Sequence, residues 1–316
     1  EGRPLLTARN QLVLDISRPE VSDYLFDKID AQVREHRIDY LKWDHNRDLT
    51  TAGLGAPGLK GLPGYRVQVM AAYALMERLR QAHPQLEIES CSGGGGRIDF
   101  GVLRHTHRVW VSDCIDAKSR VVDIQRGFLQ FFPPEIMGSH VGTAPAHTTG
   151  RTQSPAFRSA VAFSGHLGIE FDLRLMDERA RSELADWIAL HKQWRHLLHG
   201  TRVWLGECGD GVLWQAHGTD DAQELLVLVY RVEPSTCRYP PSLRLPMLQA
   251  HATYDVRVLE PAHRVGQAPH ETVAAWLEGL RGAPGRVQGA WAIHQGIPLP
   301  RVKAEVATLF HLKVGA

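Results

Sequence analysis

Between Leu12 and Leu198, short apolar runs alternate with segments whose apolar residues recur once per helical turn. No other feature constrains the fold more. A strand followed by a crossover helix returns parallel to its predecessor, so the pattern implies βαβ units and a parallel sheet. Leu12–Ile16 reads as a buried strand, and Pro19 then falls where a first helical turn tolerates proline. Val21, Leu25, Ile29 and Val33 place a helix over residues 20–36. Ile38–Trp43 is the next strand, and a Gly/Pro-rich loop follows over 49–63. A second helix carries Val69, Ala72, Tyr73, Met76 and Leu79 on one face. Leu86–Cys91 and Val109–Ser112 are strands, 116–130 a helix, and Ile136–Gly142 and Ser164–Glu170 further strands. A long helix over 177–198 has Leu184, Trp187, Ile188, Trp194 and Leu198 on its apolar side.

Beyond Gly200 the period changes. Val203–Leu205, Val212–Gln215, Leu225–Val232, Leu243–Leu248 and Tyr254–Leu259 are strand-like, punctuated by Gly, Asp and Pro. That is the pattern of an antiparallel β-sandwich, so the domains are expected to be 1–199 and 200–316. The net charge of +1, from 36 basic and 35 acidic side chains, leaves no electrostatic footprint for nucleic acid or an anionic membrane. A neutral small molecule is the natural ligand. No stretch of about eighteen apolar residues occurs to span a bilayer. Cys91, Cys114, Cys208 and Cys237 form no C-x-x-C pair, which argues against a zinc ribbon. They read as free thiols of a reducing compartment, and a cytoplasmic location is expected.

Chemistry concentrates at three strand ends. They are Lys42-Trp43-Asp44-His45-Asn46-Arg47, then Glu89 to Arg97 with four consecutive glycines, then Trp110-Val111-Ser112-Asp113-Cys114-Ile115-Asp116. In a β/α barrel the C-terminal ends of the strands hold the active site, so three such ends would converge on one pocket. Asp44 and Asp113 supply two carboxylates on different strands. One can attack an anomeric carbon or activate water while the other protonates the leaving oxygen, the minimal equipment for glycoside hydrolysis. Lys42, two residues before Asp44, shares its strand face, and its charge favours ionised Asp44. Taken alone, each motif has a plainer reading: a strand-end Asp can cap a helix, and a glycine run can be a turn. A phosphate loop would need Gly-Lys-Ser/Thr where Gly96-Arg97-Ile98 stands. The 17 histidines, including His105, His107, His140 and His147, lack metal-ligand spacing, so no metal is expected. Cys114 reads as packing rather than as a reactive thiol, and Asp116, three residues after Asp113, is a possible second acid whose plainer reading is a carboxylate at a helix N-terminus.

At these strand ends the chain resembles glycoside hydrolase family 36, the bacterial α-galactosidases. The family pattern K-W-D-x-N-R, C-S-G-G-G-G-R-x-D, W-x-S-D-x-x-D-A matches Lys42–Arg47, Cys91–Asp99 and Trp110–Ala117 in order and spacing. Gly165–Glu170 resembles a further family segment. The resemblance implies an α/β fold, a (β/α)8 TIM barrel followed by a C-terminal antiparallel β-sandwich. Only six strands precede residue 200 against the eight a barrel needs, so a partial barrel in an N-terminally truncated fragment is expected. Such an open barrel is expected to fold poorly or lack activity alone. The resemblance implies a retaining α-galactosidase acting on melibiose- and raffinose-type galactosides, with Asp44 as nucleophile and Asp113 as acid/base. It implies that Lys42, Cys91 and Gly93 contact the galactosyl hydroxyls, with Trp43, Asn46, Arg97 and Trp110 as the other substrate-binding candidates. The resemblance also implies that no cofactor is needed and that the protein is a homo-oligomer. Alternatives are a galactosyltransferase of the raffinose- or stachyose-synthase kind, an α-N-acetylgalactosaminidase, or a sugar-binding module without catalysis. His107-Arg108 and Cys114-Ile115 depart from the family pattern beside Asp113, which bears on leaving-group preference.

Overall fold

The structure is a computed structural model and describes residues 7, 10–50, 52–53, 63–259, 279–280 and 282–315. It divides into two compact units, Glu1–Asp113 and Cys114–Ala316.

In the first unit, α1 (Pro19–His36) opens with proline in its first turn and closes at Arg37 in the left-handed conformation, whose N–H bonds the Val33 carbonyl. Strand β1 (Tyr40–Trp43) follows, then α2 (Tyr65–Ala82), β2 (Glu87–Ser90) and β3 (Arg108–Trp110). The three strands are parallel, as the alternating pattern requires. Lys42 is registered with Glu89 and Trp43 with Ser90, and on the other side Glu89 with Arg108 and Ser90 with Val109. Val33 of α1 and Tyr73 and Met76 of α2 bury against Leu86, Ile88 and Val102. These contacts fix the helices on the strands and so set where the strand ends lie.

Two expectations fail here. Leu12–Ile16 is not a buried strand: Leu12 and Leu14 are exposed, and the segment joins no sheet among the described residues. Its backbone is held instead by one side chain, since Gln68 accepts from Ile16 N–H (3.1 Å) and donates to the Leu14 carbonyl (2.8 Å). Val69 also lies outside the buried stripe of α2, which runs through Tyr73, Leu75, Met76 and Leu79. Most of the expected 49–63 loop falls outside the described residues, though Gly53 pairs with Pro63 across it.

In the second unit, the helix expected over 116–130 is interrupted. It runs as α3 (Ala117–Ser119), one π turn (Arg120–Ile124) and α4 (Gln125–Leu129). Strands β4 (Met137–Gly142) and β5 (His166–Glu170) are parallel and enclose α5 (Pro155–Ala162) between them in sequence. Helix α6 (Glu178–Leu198) starts at Asp177, whose carboxylate accepts from Ala180 N–H at 2.7 Å.

After α6 the strands become antiparallel, as the change of period past Gly200 predicts. The sheet contains β6 (Arg202–Gly209), β7 (Val212–Gly218), β8 (Glu224–Arg231), β10 (Thr253–Leu259), β11 (Gly285–Gln288) and β13 (Val306–Val314), in the order β11-β10-β13-β8-β7-β6. A small ladder joins β9 (Ser242–Leu243) to β12 (Ile297–Pro298), so the expected strand over Leu243–Leu248 is only two residues long. Strand β8 explains the layering. Leu225, Val227 and Val229 bury into a cluster with Leu243, Leu245 and Ile297, while Leu226, Leu228 and Tyr230 bury against Phe157 and Trp187 of α5 and α6. A strand covered on both faces reads as a continuous apolar run, as Leu225–Tyr230 does. The sequence reading did not identify β11, β12 or β13.

Candidate active site

The three strand ends singled out in the sequence meet within the first unit. Asp44 follows β1, and its carboxylate is clasped by its own loop. It accepts from the His45 N–H at 2.8 Å and from the Asn46 amide at 2.5 Å. Burial pushes this carboxyl up, but bonds from the Cys91 thiol, the Asn46 amide and the His45 and Gly93 N–H groups outweigh it and hold the group below its ordinary range. Cys91 continues the β1–β2 ladder, its N–H bonding the Trp43 carbonyl at 2.9 Å. Its thiol is buried, and burial together with the bond to Asp44 pushes it up to about 11, so it stays a neutral donor.

The glycine run bridges the Asp44 and Asp113 loops. Gly93 donates its N–H to Asn46 Oδ1 at 3.1 Å, in a left-handed conformation with φ of 54°. At Gly94 φ is 85°, and a Cβ there would sit 2.7 Å from Ser112 Cα and 2.8 Å from Asp113 N. Only glycine permits both that backbone conformation and that approach. Ser92 adds a bond from its hydroxyl to the His45 carbonyl at 3.0 Å.

A second bridge runs through side chains. The Lys42 ammonium stands 4.5 Å from the centre of the Trp110 ring. Trp110 is buried, and its indole N–H donates to Asp113 Oδ1 at 3.0 Å. Asp44 and Asp113 are themselves exposed. Arg97 has a different position from the other candidates. It donates to the Trp43 carbonyl (2.8 Å), the Cys91 carbonyl (2.8 Å) and Ser90 Oγ (3.2 Å), so it ties the ends of β1 and β2 together. Trp43 is half-buried and packs against the core of the first unit.

Among the described residues, no cluster of His, Cys, Asp and Glu could hold a metal ion, and no helix is long and apolar enough to cross a membrane. All four cysteines are free thiols.

The Melibiase family model matches residues 1–200. The chain belongs to the melibiase family. Over 313 residues it is 36% identical to an alpha-galactosidase of Escherichia coli, covering 97% of this chain and 43% of that protein. It is 35% identical over 263 residues to alpha-galactosidase AgaA of Geobacillus stearothermophilus, covering 82% of this chain and 36% of the relative. Among solved structures, GH36 alpha-galactosidase AgaB of the same organism superposes with a TM-score of 0.86 at 30% identity, over 99% of this chain and 40% of that one. A variant of AgaA in complex with raffinose superposes with a TM-score of 0.85 at 30% identity, over 99% of this chain and 41% of that one. The chain thus spans less than half the length of these relatives.

Two polar groups in this melibiase-family chain escaped the sequence reading. Asp99, in the Arg97-Ile98-Asp99 part of the glycine motif, accepts from the Tyr73 hydroxyl (2.6 Å to one oxygen, 2.8 Å to the other) and from Val102 N–H. It anchors the loop to α2, and Tyr73, read only as an apolar helix position, supplies the donor. Glu89 lies one strand over from Lys42 with a side chain only 1% exposed. Its placement two residues before Cys91, on the same strand face, was the available signal.

Proposed function

We propose that the protein carrying this chain is a retaining α-galactosidase with Asp44 as nucleophile and Asp113 as general acid/base. One observation carries the reading: the glycine loop joins the two carboxylate-bearing strand ends, bonding at Gly93 beside Asp44 and packing at Gly94 directly against the Asp113 backbone. In the first step the ionised Asp44 carboxylate attacks the anomeric carbon while the Asp113 carboxyl gives its proton to the glycosidic oxygen. The bond from the anomeric carbon to that oxygen breaks, and the leaving alcohol departs. This leaves a covalent galactosyl–Asp44 ester. In the second step Asp113 takes a proton from water, whose oxygen attacks the anomeric carbon and releases Asp44, with net retention. The hydrogen bonds that lower the Asp44 carboxyl favour the charged form an attacking group needs.

Lys42, Trp43, Asn46, Cys91, Gly93 and Trp110 are the remaining candidates to line the galactosyl site, with Arg97 holding the strand ends behind it. Terminal α-galactosides of the melibiose and raffinose type are the proposed substrates. The solved relatives with raffinose and with stachyose support that class. Residues 1–199 are read as part of a (β/α)8 barrel and 200–316 as a β-sandwich.

The test is the stereochemistry of azide rescue on p-nitrophenyl α-galactoside. Asp44→Gly loses roughly 10⁴-fold or more in kcat, and azide restores turnover with the inverted, β-configured sugar azide. Asp113→Ala gives the retained α-azide. Retained azide from Asp44→Gly would overturn the assignment.

A further inference from the structure

Glu89 is a buried carboxylate beside the proposed site to which the reaction gives no role. Its side chain is 1% exposed, and among the described residues the Tyr40 hydroxyl is the one neutral hydrogen-bonding group against its carboxylate; burial and this contact push that phenol up. Removing a carboxylate from water costs several kcal/mol unless a cation or hydrogen bonds compensate. Two cations are registered beside it, Arg108 on β3 and Lys42 on β1. Arg108 is committed elsewhere: it bonds Glu87 and lies 5.0 Å from the centre of the Tyr40 ring. Lys42 Nζ is 3.9 Å from Glu89 Oε1, and the same ammonium stands over the Trp110 ring. Charge thus runs from Glu89 to Lys42, and contact runs on through the Trp110 indole to the Asp113 carboxylate.

We infer that Glu89 is a positioning residue: its buried carboxylate holds the Lys42 ammonium over Trp110, and through that indole it sets the orientation of Asp113. The functional part of this inference rests on the α-galactosidase reading, whereas the structural part does not. An ion pair with one buried carboxylate, one solvent-accessible ammonium and an unclosed gap is a poor source of stability. Its value here is geometric. Lys42 has a flexible stem and a strongly hydrated head, and without a fixed counter-ion it would turn outward to water.

The experiment is a double-mutant cycle of Glu89→Gln and Lys42→Met in the protein carrying this chain, read three ways. First, the indole N–H resonance of Trp110, assigned with Trp110→Phe, moves in Glu89→Gln in the same direction as in Lys42→Met. An unmoved resonance overturns the inference whether or not the protein is a galactosidase. Second, kcat/KM on an unactivated α-galactoside falls roughly 10²-fold in Glu89→Gln, with no further fall when Lys42→Met is already present. Additive losses mean that Glu89 does not act through Lys42 and sink the proposal. Third, the doubly substituted protein regains the melting temperature lost by either single variant but not the activity. Should Glu89→Gln fail to fold, Glu89→Asp keeps the charge and withdraws it by one methylene. A smaller movement of the same resonance then supports the inference, and none refutes it. A wild-type protein with no galactosidase activity would defeat the functional reading while leaving the resonance test to decide the pairing.

Discussion

At the scale of single residues, the site is a set of donors turned on one carboxylate. Asn46 does two jobs, donating to Asp44 and accepting from Gly93 N–H. Its removal takes away one of the bonds that lower Asp44, so the carboxyl rises toward its ordinary value. A depressed carboxyl is ionised, and competent to attack, down to a lower pH than a free one. In Asn46→Ala the acidic limb of the kcat/KM profile therefore moves to higher pH, and the plateau falls roughly 10- to 100-fold, the worth of a hydrogen bond to a charged group. An acidic limb that stays in place would mean that Asp44 does not govern it. At this scale the candidates Lys42, Asp44, Asn46, Cys91, Gly93, Trp110 and Asp113 all came from three short motifs, and the structure places them in one unit. The bonds between them were not legible. That Arg97 binds backbone carbonyls, or that Glu89 lies buried beside Lys42, depends on which strand neighbours which.

At the scale of elements, the glycine loop after β2 decides whether the ends of β1 and β3 can meet. Gly94 and Gly150 both have positive φ, 85° and 71°, but a Cβ at Gly150 would meet nothing within 4 Å. Alanine at either position incurs backbone strain of about 1 kcal/mol or more. At Gly94 it also drives a methyl into the Ser112 and Asp113 backbone. Gly94→Ala is expected to lose more stability in denaturant unfolding than Gly150→Ala, and to lower kcat through the displaced Asp113 loop. Equal losses in both assays would show that the close approach has no consequence. Periodicity revealed α1, α2, α6 and strands β1–β5, although β1 and β5 present only half-buried apolar residues to their clusters. It misjudged Leu12–Ile16, an apolar run whose backbone bonds go to the Gln68 side chain. It also missed the π turn at Arg120–Ile124, a single widened turn too short to register as a change of period.

At the scale of the whole molecule, burial of polar groups ties stability to pH. His217 of β7 is wholly buried, with Nε2 against the Gln215 amide at 2.6 Å and Nδ1 against the Leu198 carbonyl at 3.2 Å. Burial lowers it to about 3, opposed by the Leu198 carbonyl and assisted by the nearby His199. The unfolded chain takes up this proton near pH 6.5 and the folded one near 3. Stability is therefore complete above about 6.5 and falls as the pH drops through that window. His217→Gln should flatten the fall by up to about 1.4 kcal/mol per pH unit, measured as the difference in denaturant unfolding between the two proteins. Identical slopes would place the linkage elsewhere. The sequence by itself determined the family, the parallel-then-antiparallel order of the strands, and the residue types at each strand end, because these follow from local periodicity and contiguous motifs. Only the tertiary structure decided which groups face one another: that Gly94 touches the Asp113 backbone, that Lys42 stands over Trp110, and that β13 lies between β8 and β10. Such pairings join residues far apart along the chain, and they are chosen by the packing of whole faces rather than by any short stretch of residues.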